Sequence, residues 1–227
     1  DRSVSRGLGD VYKRQIQEEK SMNKILADMH THTIASGHAY ATLTEMCKEA
    51  ANKGLEIYGI TEHSSGIPGT CADIYFQNLR VVPRDLFGLD LRLGAEINII
   101  DYNGTLDLDQ KYIDRLDFVI AGIHSVCYKF GSKEENTAAI INAIKNPNVN
   151  IISHPDDGRC PLDYEALVQA AKEYHVLLEI NNNALRDKNR KNVKENQKLI
   201  IENCKKYNHP FIMGSDAHFT TDVANYD

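Results

Sequence analysis

The sequence has no CxxC pair. Its five cysteines, Cys47, Cys71, Cys127, Cys160 and Cys204, are scattered and odd in number. That argues against a disulfide framework or a thiolate zinc site and fits reduced thiols in a cytoplasmic protein. No apolar run approaches the ~18–20 residues that a membrane-spanning helix needs, so no membrane partner is expected. There is no basic stripe, and the formal net charge is −6, which argues against a grip on a nucleic-acid backbone. No GxGxxG or Walker pattern marks a nucleotide-binding sheet, and no GxSxG elbow presents a nucleophilic serine.

What is present is a chain of 227 residues, 42% hydrophobic, enough for one domain with a sizeable core. Residues 1–21 carry neither the apolar stretch of a signal peptide nor a strand pattern. Met22-Asn23-Lys24, just before an apolar run, looks like a natural start. Residues 1–21 are therefore read as a non-native or disordered leader and 22–227 as the domain.

From there apolar strands alternate with helical patterns. Strands are predicted at 25–29, 55–61, 91–100, 118–123, 149–153, 176–180 and 211–213. Helices are predicted at 42–53, within 109–116, and at 132–145, 163–174 and 193–207. Capping boxes at Thr42/Glu45 and Ser132/Glu135 open two of the helices, and Gly54 and Pro147 close them. The stretch 64–85 has Gly and Pro signals without a clear period and reads as loop. Near-continuous apolar strands, most followed by helices, predict a parallel α/β arrangement buried on both faces. An open doubly wound sheet and a closed barrel both fit. The repetition favours the barrel, in which active sites lie at the C-terminal strand ends.

Candidate metal ligands sit at those ends. His30 and His32 follow the first strand in ADMHTHTIASGH, and His38 closes the same stretch. Residues i and i+2 of an extended segment face one way, so His30 and His32 can reach one point, a spacing that suits a divalent metal. Two solvated loop histidines would give the same pattern. His63 ends the second strand in TEH, Glu96 lies inside the third in GAEINI, His124 ends the fourth, and His154 the fifth. Asp216 and His218 follow the seventh in GSDAH. Taken singly, Glu96 also reads as a salt-bridge partner and His154 as a cap. A buried carboxylate needs a compensating partner, as does a ring of histidines, and one cation cluster satisfies them all. Zinc takes about four ligands, and a catalytic site leaves a position open. With Glu96 bridging, these residues supply three or four bonds to each of three ions. His175, at the end of a polar helix, and His209, before Pro210, read as structural or solvated.

The segments HTH, TEH, GAE, GIH, SHP and GSDAH, with His38 between the first two, occur in the order seen in the PHP (polymerase and histidinol phosphatase) metal-dependent phosphoesterases. The chain resembles that family from 25 to 226. It is most similar to small stand-alone phosphatases of the YcdX type, whose EIN(N) segment is matched by Glu179-Ile180-Asn181-Asn182. The resemblance implies a distorted seven-stranded (β/α)7 TIM-like barrel and three divalent ions, usually zinc, with manganese or iron as alternatives. It implies that His30, His32, Glu96 and Asp216 hold one ion. Glu96, His124 and His154 would hold a second, with Glu96 bridging, and His38, His63 and His218 a third. Two departures stand out. After His154 the chain reads PDDGRCP where many relatives have a shorter PGN-type turn. Relatives also continue into a further helix beyond His218, so the domain is expected to be truncated at its C-terminus.

The activity so implied is hydrolysis of a phosphomonoester by hydroxide bridging two ions, with Glu96 and Asp216 as the catalytic carboxylates. The expected partner is a small phosphorylated substrate, and a homo-oligomer is compatible with the sequence. Arg159 and Arg190 are candidate bidentate phosphate ligands or solvated loop arginines. Asp156 and Asp157 either support ligands or form the turn. Three alternatives are weighed. A PHP-type nuclease or phosphodiesterase is disfavoured by the acidic balance and the lack of an attached polymerase. An amidohydrolase-like metal hydrolase also opens a barrel with HxH, but Glu96 stands where its bridging lysine would be. A non-catalytic metal-binding module would not need an open ligand set.

Overall fold

The computed structural model describes residues 26–226, so the leader expected at 1–21 lies outside the described residues. The predicted strands form as β1 (Ala27–Asp28), β2 (Ile57–His63), β4 (Leu89–Asn98), β5 (Phe118–Gly122), β6 (Ile151–Ile152), β7 (Leu177–Asn181) and β8 (Phe211–Gly214), all parallel and neighbours in chain order. The two ends of this path meet. Asp216 N donates to His30 O at 2.8 Å, and His32 N to Ala217 O at 2.9 Å. Beside them Ser215 Oγ donates to the buried Asp28 at 2.5 Å. These bonds draw the seven parallel strands into a nearly closed, distorted barrel.

Strand register separates the inner face from the outer one, because paired residues of a parallel sheet point the same way. Glu96 pairs with His63 and with Ile120, Ile120 with Ile151, and Ile151 with Leu177. Phe118, Ile120 and Ile151 cluster with Met29, Leu177 and Ile212, so an apolar plug fills the inside of the barrel. Burying each such aliphatic side chain contributes about 1.5–3 kcal/mol. Toward the strand C-termini the same face turns polar, with His63, Glu96, Glu179 and Asn181 all buried. The intervening residues, such as Leu93, Ala95, Ile97, Val119 and Leu178, point outward into the main core under the helices.

The helices begin where their caps dictate. Thr42 and Glu45 form a reciprocal capping box on α1 (Leu43–Asn52). Two short helices follow, α2 (Ile74–Asn78) and α3 (Gln110–Ile113). Ser132 and Glu135 cap α4 (Lys133–Ile144) in the same reciprocal way. Asp163 caps α5 (Tyr164–Tyr174), which stops at a left-handed His175. The last is α6 (Val193–Tyr207). No helix among the described residues is long and apolar enough to cross a membrane.

One stretch departs from expectation. Residues 64–85 are not all loop: they hold α2, a 3-10 turn at Leu79–Val81, and the start of β3 (Asp85–Leu86), which turns back antiparallel onto β4. The reversal uses Phe87 and Gly88, both at positive φ, as a tight primed hairpin turn requires. A phenylalanine at such a position gives no turn signal in the sequence.

Candidate metal centre

Every parallel strand but β7 delivers a candidate ligand to one rim, near its end or just past it, and Glu96 stands in the middle. Glu96 Oε2 lies 3.2 Å from His30 Nε2 and 3.1 Å from His63 Nδ1, and 3.5 Å from His32 Nε2. Its Oε1 lies 2.8 Å from His154 Nε2 and 3.3 Å from His124 Nε2. Asp216 Oδ1 is 3.3 Å from His32 Nε2, and 3.6 Å from both His30 Nε2 and His218 Nδ1. Three convergent sets emerge: His30, His32 and Asp216; His63, Glu96 and His124; and His32, His63 and His218. In each set the ligand atoms lie within 4.8 Å of one another.

These sets overlap the grouping implied by resemblance without matching it: His32 stands with His63 and His218 where that grouping has His38, and His63 stands with Glu96 and His124 where it has His154. The His38 ring is stacked 5.0 Å from His63 and lies 4.9 Å from His218, centroid to centroid, on an exposed loop. His175 and His209 stay outside the cluster. His175 is an exposed helix cap, and His209 bonds the Val176 carbonyl at 2.9 Å.

Side chains behind the ligands fix which nitrogen faces inward. Glu179 Oε1 accepts from His30 Nδ1 at 2.7 Å, which leaves Nε2 pointing at Glu96. The other oxygen of Glu179 accepts the backbone N–H of His154 at 2.8 Å. His32 Nδ1 meets Ser36 Oγ at 3.0 Å, and Ser36 donates to the buried Glu62 at 2.6 Å. One hydroxyl donor and two lone pairs suffice, since His63 N also donates to Ser36 Oγ. Asn181 Nδ2 donates to Asp216 at 3.3 Å. Glu62, Ser36, Glu179 and Asn181 were not singled out in the sequence as site residues. The TEH and EIN segments hold three of them, Glu62, Glu179 and Asn181, and Ser36 carries no such signal.

Room for this arrangement is built into the backbone. A Cβ at Gly214 would collide with Glu179 Oε1. His154 and Asp216 both adopt positive φ, 30° and 53°, which costs an L-residue roughly 1–3 kcal/mol each. Two candidate ligands thus carry backbone strain that the surrounding barrel enforces.

The electrostatics are those of a cation cage. Burial alone would raise the Glu96 carboxyl, but His30, His124, His63 and His154 outweigh it and hold the group well below the glutamate range. Burial would likewise raise Asp216, and the nearby histidines hold it low. Burial, then His63 and His218, push His32 well below the usual imidazole range. His30 goes the other way, because Glu179, Glu96 and Asp216 overcome burial. Glu96 Oε2, His63 Nδ1 and His124 Nδ1 are buried without a hydrogen-bond partner. The Nε2 atoms of His30 and His32 approach to 3.1 Å. Buried polar atoms left without a hydrogen bond and imidazole nitrogens crowded in this way fit divalent cations bound by imidazole and carboxylate.

Beside the cluster opens a cleft of about 380 Å³ that includes His38, His63, His124, His154, Arg159 and Arg190 in its lining. Arg159 is engaged by Asp157 at 2.6 Å. Arg190 is 14% exposed; its Nη1 makes no hydrogen bond but lies 3.7 Å from Asp156 Oδ1, and its Nε lies 3.7 Å from Asp187 Oδ2. Asp157 therefore forms a turn and an ion pair. Asp156 is buried, bonded to Gln197 at 2.7 Å, and raised by burial to about 7.

A parallel α/β barrel with histidines and carboxylates converging at the C-terminal rim defines the class of protein. The chain belongs to the PHP domain family, whose description matches residues 28–206. A protein of Caldicellulosiruptor saccharolyticus named "Probable phosphatase" is 50% identical over 202 residues, covering 88% of this chain and 83% of that one. One of Acetivibrio thermocellus with the same name is 45% identical over 204 residues, 90% of this chain and 84% of its own length. Among solved structures, the histidinol phosphate phosphatase of Lactococcus lactis, complexed with zinc, L-histidinol and phosphate, superposes with a TM-score of 0.58 at 19% identity, over 87% of this chain and 89% of that one. An archaeal ribonuclease P structure with mature tRNA gives 0.55 at 16% identity, over 88% and 77%. Both structural likenesses are likenesses of fold.

Proposed function

We propose that this protein is a metal-dependent phosphatase that hydrolyses phosphomonoesters at a centre of three divalent ions, zinc foremost. The observation that carries the reading is Glu96, a buried carboxylate with five histidine nitrogens within 3.5 Å of its two oxygens. One ion would be held by His30, His32, Glu96 and Asp216, a second by Glu96, His124 and His154, and a third by His63 and His218 with His38. His32 stands near enough to the last pair to share it. The printed names of the relatives, and the phosphate and zinc in the Lactococcus lactis enzyme, support the same reading.

Ions bound there would supply Lewis acidity, making water nucleophilic near neutral pH and neutralising charge on phosphate. The residues of the chain do the rest. Glu179 and Ser36 keep the His30 and His32 rings turned so that Nε2 faces the centre. Glu96 and Asp216 supply negative charge that would retain cations. Arg190 lines the cleft, held by ion pairs of 3.7 Å to Asp156 and to Asp187, and would bind phosphate oxygens as charge builds on them. Arg159, already paired with Asp157, would play a lesser part.

The test is a metal analysis joined to an assay. Purified full-length protein should contain zinc, manganese or iron, lose p-nitrophenyl phosphate hydrolysis on chelation, and regain it with added metal. Hydrolysis of single-stranded oligonucleotides or N-acyl amides with no action on monoesters would overturn the reading.

A further inference from the structure

The lining of the cleft beside the metal cluster is of two unlike kinds. One is charged, Arg159 and Arg190 with Asp157 and Asp187. Both acids are taken: Asp157 bonds Arg159 at 2.6 Å, and Asp187 lies 3.7 Å from Arg190. The other lining residues include Ile67, Pro68, Ile123, Val126 and Phe130. Val126 is 65% exposed, an apolar side chain left open at the mouth. The apolar character continues in depth. A smaller cavity behind Phe130 and Ile123 reaches Ile140 and Leu162 and touches His154. Apart from the charged groups and the candidate ligands, Ser125 is the one polar side chain in the cleft lining.

Resting on the phosphatase reading, we propose that the substrate is a monoester of an apolar alcohol, its alkyl or aryl group seated on Ile67, Ile123, Val126 and Phe130. The arithmetic of hydrogen bonding supports this occupant. A sugar or polyol would bring several hydroxyls to a lining whose one uncharged polar side chain, apart from the candidate ligands, is Ser125, and hydroxyls left unmet there lose their hydration. An ammonium-bearing alcohol would find both lining carboxylates already paired with arginine. An apolar group gains from the wall and loses nothing on it.

Two esters separate the cases: 2-phenylethyl phosphate and glycerol 1-phosphate, both primary alkyl esters of similar intrinsic lability. With metal-replete full-length protein, kcat/KM for the first should exceed the second by about tenfold or more, mainly through KM. Phe130→Ala and Val126→Asn should each shrink that ratio several-fold. Val126 is exposed, so its variant keeps the fold and the test stands even where Phe130→Ala is unstable. The corresponding phosphonates, in which carbon replaces the bridging oxygen, give a binding readout by calorimetry. The phenyl analogue should bind tighter and with a more negative heat-capacity change. Turnover of both esters with equal or reversed preference overturns the apolar-alcohol assignment and leaves the phosphatase reading intact. Turnover of no monoester overturns both.

Discussion

Glu179 accepts a hydrogen bond from Nδ1 of His30 at 2.7 Å, across 149 positions of sequence. Its second oxygen accepts from His154 N at 2.8 Å and from Asn181 Nδ2 at 3.1 Å. One buried carboxylate therefore orients two candidate ligands from opposite parts of the barrel. Glu179→Gln cannot serve both, since an amide nitrogen would have to face either the imidazole N–H or two further donors. Metal affinity should fall by about 10–100-fold, measured by competition with a chromophoric chelator. Unchanged affinity would remove Glu179 from the positioning role.

Glu96→Gln removes the charge on which the cluster converges. The variant should lose the bridged pair of ions and drop more than about a hundredfold in kcat, with its circular dichroism largely kept. His175→Gln, at an exposed helix cap, should change neither. Full metal content in Glu96→Gln by elemental analysis would exclude the bridging assignment.

The two arginines should separate in kinetics. Arg190 is held by two looser ion pairs, 3.7 Å to Asp156 and 3.7 Å to Asp187, whereas Arg159 makes three side-chain bonds to Asp157. Arg190→Ala should raise KM, and the inhibition constant of inorganic phosphate, by about tenfold or more. Arg159→Ala should change them less. The reverse order in steady-state assays would assign the phosphate to Arg159.

Asp156 predicts a pH effect on stability. Burial raises its carboxyl to about 7 from an ordinary 3.8. Between those values the folded protein keeps a proton that the unfolded chain releases, so unfolding free energy falls as pH rises and levels off above about 7. Asp156→Asn keeps an acceptor for Gln197 and removes that loss. In chelator, its advantage over the wild type should be near zero at pH 4 and grow to about 1–4 kcal/mol at pH 8. Urea melts at the two pH values check this, and a pH-independent difference would refute it.

How much of this was legible in the sequence follows from the range of each signal. Strand and helix periods are local, and so are the Thr42 and Ser132 caps, so seven parallel strands and their helices could be read directly. Most of the candidate ligands were legible because they end or closely follow a strand, and a parallel barrel brings all such ends together. The Phe87–Gly88 reversal was not legible, because a bulky residue at positive φ follows from packing and not from turn propensity. Nor were the roles of Glu179, Ser36 and Glu62. Glu179 looks like any charged residue in a strand until folding sets it against His30, and Ser36 gains meaning only between His32 and Glu62. Which histidines group together depends on ring placement that spacing does not encode.

The β8–β1 closure has a consequence for motion. Its two backbone bonds run between the segments that carry His30 and His32 on one side and Asp216 and His218 on the other. Any breathing of the barrel at that joint pulls the cluster apart, and cations spanning it would act as rivets. Hydrogen exchange at the amides of His32 and Asp216 would then report metal occupancy, slow when the ions are in place and fast when they are withdrawn.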